Sequence, residues 1–305
     1  MTTPVSGDGA VPLVDRVARA RECFARAGIS RNEAAADAEV LARHALGWDR
    51  ATYLARRREP APPGFEVRYA SLATRRARRE PVSIITGRRE FWGLSFAVGP
   101  GVLTPRPETE IIVETALELL GDRRDAPLAI ADIGTGSGCL AVTLAREFPY
   151  GAVTAVDISP DALAVARRNA TAHGVADRID WIEAPLAIWL ATAALDGGGE
   201  GIDLMVANLP YVPTAEFSSL PPEVRLYEPR IALDGGADGL SRLRELLYAA
   251  PARLNPDARL LIELGTGQAD TLRELVAAAR GLHLIEIRPD LRRIPRTAVL
   301  TVVRS

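Results

Sequence analysis

Six apolar runs, at residues 128–133, 152–157, 202–206, 259–264, 282–287 and 297–303, punctuate the second half of this 305-residue chain. Helical stretches such as Pro160 to His173 and Arg242 to Ala250 fill the intervals, and a weaker seventh run covers 178–182. Strand and helix alternating in this way predict an α/β fold with a doubly wound, mostly parallel sheet. Ligands of such sheets bind outside the carboxyl ends of the strands. The residues that follow each run are therefore the first candidates for a site. No internal repeat is present, and the one low-complexity patch, Gly197-Gly198-Gly199, is expected to be a surface loop.

The front of the chain has a different rhythm. Leu13, Val14, Val17, Phe24 and Ala27 recur on one helical face, and Gly28 is a plausible stop. Ser30 and Glu33 form a capping-box pattern opening a second helix, which Gly47 ends. A third short helix follows Asp49, and Phe65, Tyr69 and Leu72 restart a fourth after a proline-rich break. From Arg56 to Glu90 ten arginines face four acids, so this part is basic and the remainder acidic. Such a stretch is either a steering surface for an acidic partner or a solvated helix face. Residues 91 to 99 alternate and read as strand, with Gly93 in a hairpin turn, and a helix is expected from about Ile111 to Leu120. Its approach is stiffened by two prolines, and Glu108 and Glu110 sit near its positive end.

Composition excludes several chemistries. All 37 basic residues are arginine, so there is no Schiff-base lysine and no P-loop lysine. Two cysteines cannot make a disulfide framework, and three histidines leave no metal site expected. No apolar run reaches membrane-spanning length, and Met1 to Ala10 lacks a basic segment followed by an apolar core. A cytoplasmic location is expected.

After the first strand comes Asp132-Ile133-Gly134-Thr135-Gly136-Ser137-Gly138-Cys139, then a helix. Glycines let the backbone pass close to a ligand, and the helix start supplies oriented N–H groups. The spacing is G-x-G-x-G, and Cys139 stands where a dinucleotide fingerprint has its third glycine. Asp132 would put a carboxylate beside a ligand's ammonium group, which suits S-adenosylmethionine and repels a pyrophosphate. Asp157, at the end of the second strand, is placed to grip a ribose diol.

The run 202–206 leads into Asn208-Leu209-Pro210-Tyr211. The Asn side chain offers one carbonyl acceptor and two donors. Pro210 fixes its own φ and so the direction of the Leu209 carbonyl, and Tyr211 adds a flat face. Together they are suited to grip a planar NH2 group; an ordinary strand-ending turn is the alternative.

In this order, strand, glycine loop, Asp157 and Asn208 to Tyr211 resemble the class I S-adenosylmethionine-dependent methyltransferases. More narrowly, the chain resembles the bacterial peptide chain release factor glutamine N5-methyltransferases (PrmC/HemK type). The resemblance includes Glu80-Pro81-Val82, Gly87 to Gly93, Thr104 to Glu110, Asp132 to Gly138, and Tyr227 to Gly236 with Asp238-Gly239-Leu240. It implies a Rossmann-like methyltransferase sheet at 111–305, a linker with a β-hairpin at 81–110, and a small helical substrate-docking domain at 1–80. It also implies S-adenosylmethionine as cofactor, held by Asp132, Gly134, Thr135, Gly136, Ser137, Gly138, Asp157, Leu186 and Asn208. Asn208, Leu209, Pro210 and Tyr211 would bind the substrate amide and carry catalysis. The implied substrate is the glutamine of the Gly-Gly-Gln motif in class I release factors. No direct nucleic-acid or membrane partner is expected, and a monomer is.

Two positions depart from the family pattern: Leu209 replaces a proline, and Pro185 stands where an Asp commonly reads the adenine amino group, leaving Leu186 as an apolar wall. Three rival readings differ in substrate or class. One is a glutamine methyltransferase of a large-subunit ribosomal protein. Another is an adenine N6 methyltransferase, against which the net charge of −2 argues. The last is a noncatalytic partner-binding module on the same fold.

Overall fold

A computed structural model describes residues 11–192 and 201–303, so the first ten residues and the Gly197–Gly199 patch lie outside the described residues. The chain divides into two compact units, residues 1–87 with 221–227, and residues 88–220 with 228–305.

The first unit is helical: α1 (Leu13–Arg26), α2 (Arg31–Leu46), α3 (Arg50–Arg56), α4 (Phe65–Ala77) and α5 (Val82–Thr86). Ser30 Oγ accepts from Glu33 N at 3.3 Å, and Asp49 Oδ1 from Thr52 N at 2.7 Å, so α2 and α3 start on side-chain caps. Leu13, Phe24, Leu41 and Phe65 are fully buried between these helices. Each such side chain contributes about 1.5–3 kcal/mol. The basic stretch turns partly inward. Arg76 is 1% exposed and bonds Asp37, Glu33 and Glu223 at 2.7, 3.1 and 2.8 Å. Glu33 therefore serves Arg76 as well as the cap. Burial would raise the Glu223 carboxyl, but hydrogen bonds from Arg79 and Arg76 hold it down at about 2. Arg58 and Arg78 remain exposed, so the stretch is neither wholly a steering surface nor wholly a solvated face.

The second unit opens with a hairpin, β1 (Arg88–Phe91) and β2 (Leu94–Ala97). Phe91 pairs with Leu94, and the two loop residues Trp92 and Gly93 have φ of 52° and 67°. Both values are those of the primed turn that matches strand twist. Then come α6 (Glu110–Leu120), β3 (Ala129–Ile133), α7 (Cys139–Glu147), β4 (Ala152–Asp157), α8 (Pro160–Ala172), β5 (Ile179–Glu183) and α9 (Leu186–Thr192). Beyond the undescribed residues follow β6 (Ile202–Ala207), α10 (Pro222–Tyr227, part of the first unit), α11 (Ser241–Ala249) and β7 (Leu254–Glu263). The chain continues through α12 (Ala269–Ala278), β8 (Leu282–Pro289) and β9 (Pro295–Val302).

The seven strands lie in the order β5-β4-β3-β6-β7-β9-β8. The first five are parallel, and β9 runs antiparallel to both its neighbours. Both sheet faces are covered. On β6, Met205 and Ala207 join one core, while Leu204 and Val206 join the other. Chain order runs outward from β3 through β4 to β5 and then returns to β6 on the other side, so the topological switch point lies between β3 and β6. Among the described residues no helix is long and apolar enough to cross a membrane.

Candidate active site

A cavity of about 790 Å³ opens over that switch point. Its wall comes from the ends of β3 (Ile133), β4 (Val156, Asp157) and β6 (Asn208, with Leu209 and Pro210), from Ala184 to Ala187, and from Gly134 and Gly136. These elements deliver residues more than fifty positions apart to one crevice because parallel strands all end on the same edge.

The glycine loop is shaped by close contacts. Gly134 and Thr135 donate their N–H groups to Val156 O at 2.8 and 3.0 Å, so the loop folds back on β4. Gly138 has φ +79°, and a Cβ there would lie 2.9 Å from Ala166 Cβ. Only glycine lets α7 start this close to α8. Asp157 closes the arrangement: Oδ2 accepts from Gly136 N and Oδ1 from Ser159 N, both at 2.9 Å. Burial raises its carboxyl above the ordinary value. Each oxygen keeps a further lone pair, which a diol can use.

Asp132, Thr135, Ser137 and Gly138 are not among the residues lining the cavity. The Asp132 carboxylate lies beneath the loop, 1% exposed, rather than in the wall. Its Oδ2 accepts from Thr135 Oγ1 at 2.6 Å and from Ala141 N at 3.0 Å, capping α7 from outside the helix. Its Oδ1 has no hydrogen-bond partner among the described residues, and burial pushes the group up to about 7. Ser137 contributes through its carbonyl, which accepts from Asn169 Nδ2 at 2.8 Å. Cys139 is pushed up to about 12, first by burial and then by Asp132, which leaves it a packing residue and no nucleophile.

At the end of β6, Leu209 is 8% exposed, and its Cδ2 lies 3.3 Å from where a Gly134 Cβ would stand. The tetrapeptide thus packs on the glycine loop. Asn208 Nδ2 donates to Thr109 Oγ1 at 3.1 Å, and Thr109 Oγ1 donates to Glu263 Oε2 at 2.6 Å. Tyr211 does not line the cavity: a Cβ on Gly265 would meet its Cδ2 at 2.9 Å, and burial raises its hydroxyl to about 12. The Tyr211 ring edge thus packs beside Gly265, outside the cavity wall. Gln268 Nε2 donates to the Tyr211 carbonyl at 3.1 Å.

Several further wall residues were not among the expected site residues. Gly101, Val102 and Leu103 line one side, and Arg230, Asp234 and Arg242 another. Asp234 accepts from Thr214 Oγ1 at 2.7 Å, which holds its carboxyl below the usual range, and also binds Arg230. The stretch Tyr227 to Gly236 carried part of the family resemblance, but nothing in it marked where it lands. It lands on Pro210, whose carbonyl would lie 2.7 Å from a Cβ on Gly235.

The cavity fits S-adenosylmethionine. It combines an apolar slot at Ala184 to Leu186 for a purine, a carboxylate with spare lone pairs for a diol, and a glycine floor a Cβ would fill. Fold and site together define a class I S-adenosylmethionine-dependent methyltransferase. Residues 16–87 match the PrmC N-terminal domain family and residues 130–222 the methyltransferase domain family. Over 269 residues the chain is 44% identical to the release factor glutamine methyltransferase of Cereibacter sphaeroides, covering 88% of this chain and 90% of that one. The protein of the same name from Geobacter sulfurreducens is 46% identical over 77% of this chain and 78% of its own length. The chain belongs to the release factor glutamine methyltransferase family. The catalytic domain of hMettl16 shares the fold alone, with a TM-score of 0.54 at 16% identity over 77% of this chain and 82% of that domain.

Proposed function

We propose that this protein transfers a methyl group from S-adenosylmethionine to the side-chain amide nitrogen of the glutamine in the Gly-Gly-Gln motif of class I release factors, in the cytoplasm. The observation that carries this reading is Asn208 at the end of β6, in the wall of the same cavity as Asp157 and the glycine loop. When bound, S-adenosylmethionine supplies a methyl group on a sulfonium leaving group.

An amide nitrogen is a poor nucleophile because its lone pair is delocalised into the carbonyl, so the protein's task is alignment. Asn208 Oδ1 and the Leu209 carbonyl accept the two amide protons and turn the nitrogen's face toward the donor. The same acceptors stabilise the positive charge that grows on nitrogen. Holding reactants in a near-attack pose lowers a barrier by up to about 7–11 kcal/mol. Asp157 holds the ribose diol, Gly134 and Gly136 the chain beside it, and Leu186 covers the purine in place of a side-chain hydrogen bond. Pro210 keeps the Leu209 carbonyl fixed. Asp132, Thr135, Ser137 and Gly138 act by shaping the loop, and Tyr211 by fixing the turn after Pro210. No general base is required, because the proton leaves after transfer, when the nitrogen is far more acidic. The helical residues 1–80 dock the protein substrate.

Incubation with methyl-labelled S-adenosylmethionine and, in parallel, release factor, large-subunit ribosomal proteins and DNA tests the reading. Label on the release-factor glutamine is expected; label only on another acceptor overturns it.

A further inference from the structure

The polar chain behind Asn208 runs through groups buried deep in the second unit. Thr109 is 2% exposed and Glu263 5%. A hydroxyl has one proton and two lone pairs, whereas an ionised carboxylate only accepts. With Glu263 ionised, the Thr109 proton goes to Glu263 Oε2, so toward Asn208 the hydroxyl can only accept. That forces Nδ2 of Asn208 onto Thr109 and leaves Oδ1 as the acceptor for the cavity. Turning the amide over would place two acceptors, Oδ1 and the hydroxyl lone pair, against each other in a part-buried setting, at the cost of the hydrogen bond between them.

We infer that Thr109 and Glu263 are positioning residues for Asn208: through one hydrogen-bonded relay they fix which end of its amide faces the substrate, and so make the site accept an –NH2 group and refuse a carboxylate. This rests on the glutamine-amide reading above. A carboxylate has no protons to give Asn208 Oδ1, so glutamate in the same pose meets acceptor against acceptor.

The relay has a polarity that a proton can reverse. Around Glu263 stand Thr109 and Glu108 before α6, Arg106 in the same segment, Arg296 on β9, Tyr211 after β6 and Cys139 at the start of α7. Arg106 is paired with Glu228 at 2.6 Å and Arg296 with Asp290 at 3.2 Å, so neither cation is dedicated to Glu263. Burial outweighs the Thr109 hydrogen bond and pushes Glu263 up to about 7. Protonated, Glu263 can donate to Thr109, which can then donate to Asn208 Oδ1, and the amide turns its Nδ2 into the cavity. Acid therefore disarms the grip, and ionisation of Glu263 restores it.

The test follows the Asn208 side-chain amide by 15N NMR across the Glu263 titration near pH 7, alongside methyl transfer to release factor and S-adenosylmethionine affinity. In the native chain the Asn208 resonance is expected to shift with that titration, and turnover to rise with it. Glu263→Gln, which still offers Thr109 an acceptor, should abolish both pH dependences. Thr109→Val should lower turnover about tenfold, the rate equivalent of one lost hydrogen bond, with cofactor affinity unchanged. Thr109→Ser should restore turnover. An Asn208 resonance indifferent to pH near 7, or a folded Thr109→Val chain as active as the native one, overturns the relay. If the resonance titrates as expected but no glutamine is methylated, the relay stands and the proposed substrate falls.

Discussion

Two places on one sheet edge solve similar problems with similar parts. Beneath the glycine loop, Asp132 on β3 holds the hydroxyl of Thr135 at 2.6 Å; behind the tetrapeptide, Glu263 on β7 holds the hydroxyl of Thr109 at 2.6 Å. Both carboxyls are buried and raised to about 7. They differ in reach. Asp132 and Thr135 are three positions apart, so a short segment organises itself, and the product is a backbone shape. Thr109 and Glu263 are 154 positions apart, and the product is the orientation of one side chain. A ligand bound by backbone needs a rigid loop, whereas a substrate gripped by a side chain needs that side chain held from behind.

The comparison is broken most severely at Asn208. Asn208→Ala removes the acceptor that the β6 end exists to present, and turnover in single-turnover assays on release factor is expected to fall at least ~100-fold, about 2.7 kcal/mol of barrier. A nearly silent variant would leave the β6 end without a chemical role. On the β4 side, Asp157→Ala should weaken S-adenosylmethionine binding by about 1.5–3 kcal/mol, the range for a hydrogen bond to a charged group. Calorimetry showing native affinity would remove Asp157 from the cofactor site.

The two raised acids also predict a pH dependence of stability. Their folded values near 7 lie above the unfolded ones of about 3.9 for Asp and 4.3 for Glu, so the folded chain binds more protons between those limits. Their contribution is complete below about pH 4, falls as pH rises toward 7, and is level above it. Urea midpoints measured over that window should decline in the native chain and decline less in Asp132→Asn; an equal slope would place the titration elsewhere. The smallest effect is expected from Leu209→Pro. It keeps the 209 carbonyl and Asn208 intact, and turnover should stay within roughly tenfold of native, about 1.4 kcal/mol. Damage as large as that of Asn208→Ala would show that Leu209 shapes the pocket through its side chain against Gly134.

The amino-acid sequence by itself determined whatever depends on neighbours along the chain. The strand runs from 128–133 to 297–303 correspond to β3 through β9; central strands such as β3 and β6 are mostly apolar because both their faces are buried, whereas the edge strand β8 is largely exposed. Gly47 ends α2 at φ 68°, and Gly93 turns the hairpin at φ 67°, because these are conformations glycine adopts without strain. Asn208 and Asp157 stand at strand ends, where chain order alone puts them. Tertiary structure decided what depends on partners distant in sequence. No period marks Arg76 as the centre of an ion cluster rather than a member of a basic face, since its three acids come from α2 and α10. Nothing local separates Asp132, which turns under the loop, from Asp157, which lines the cavity, because both are carboxylates near the carboxyl ends of neighbouring parallel strands. Thr109 reads as one residue in a proline-stiffened approach to a helix. It becomes the support of Asn208 only when β6 and β7 lie side by side, because a hydrogen bond reaches about 3 Å through space and is blind to separation along the chain.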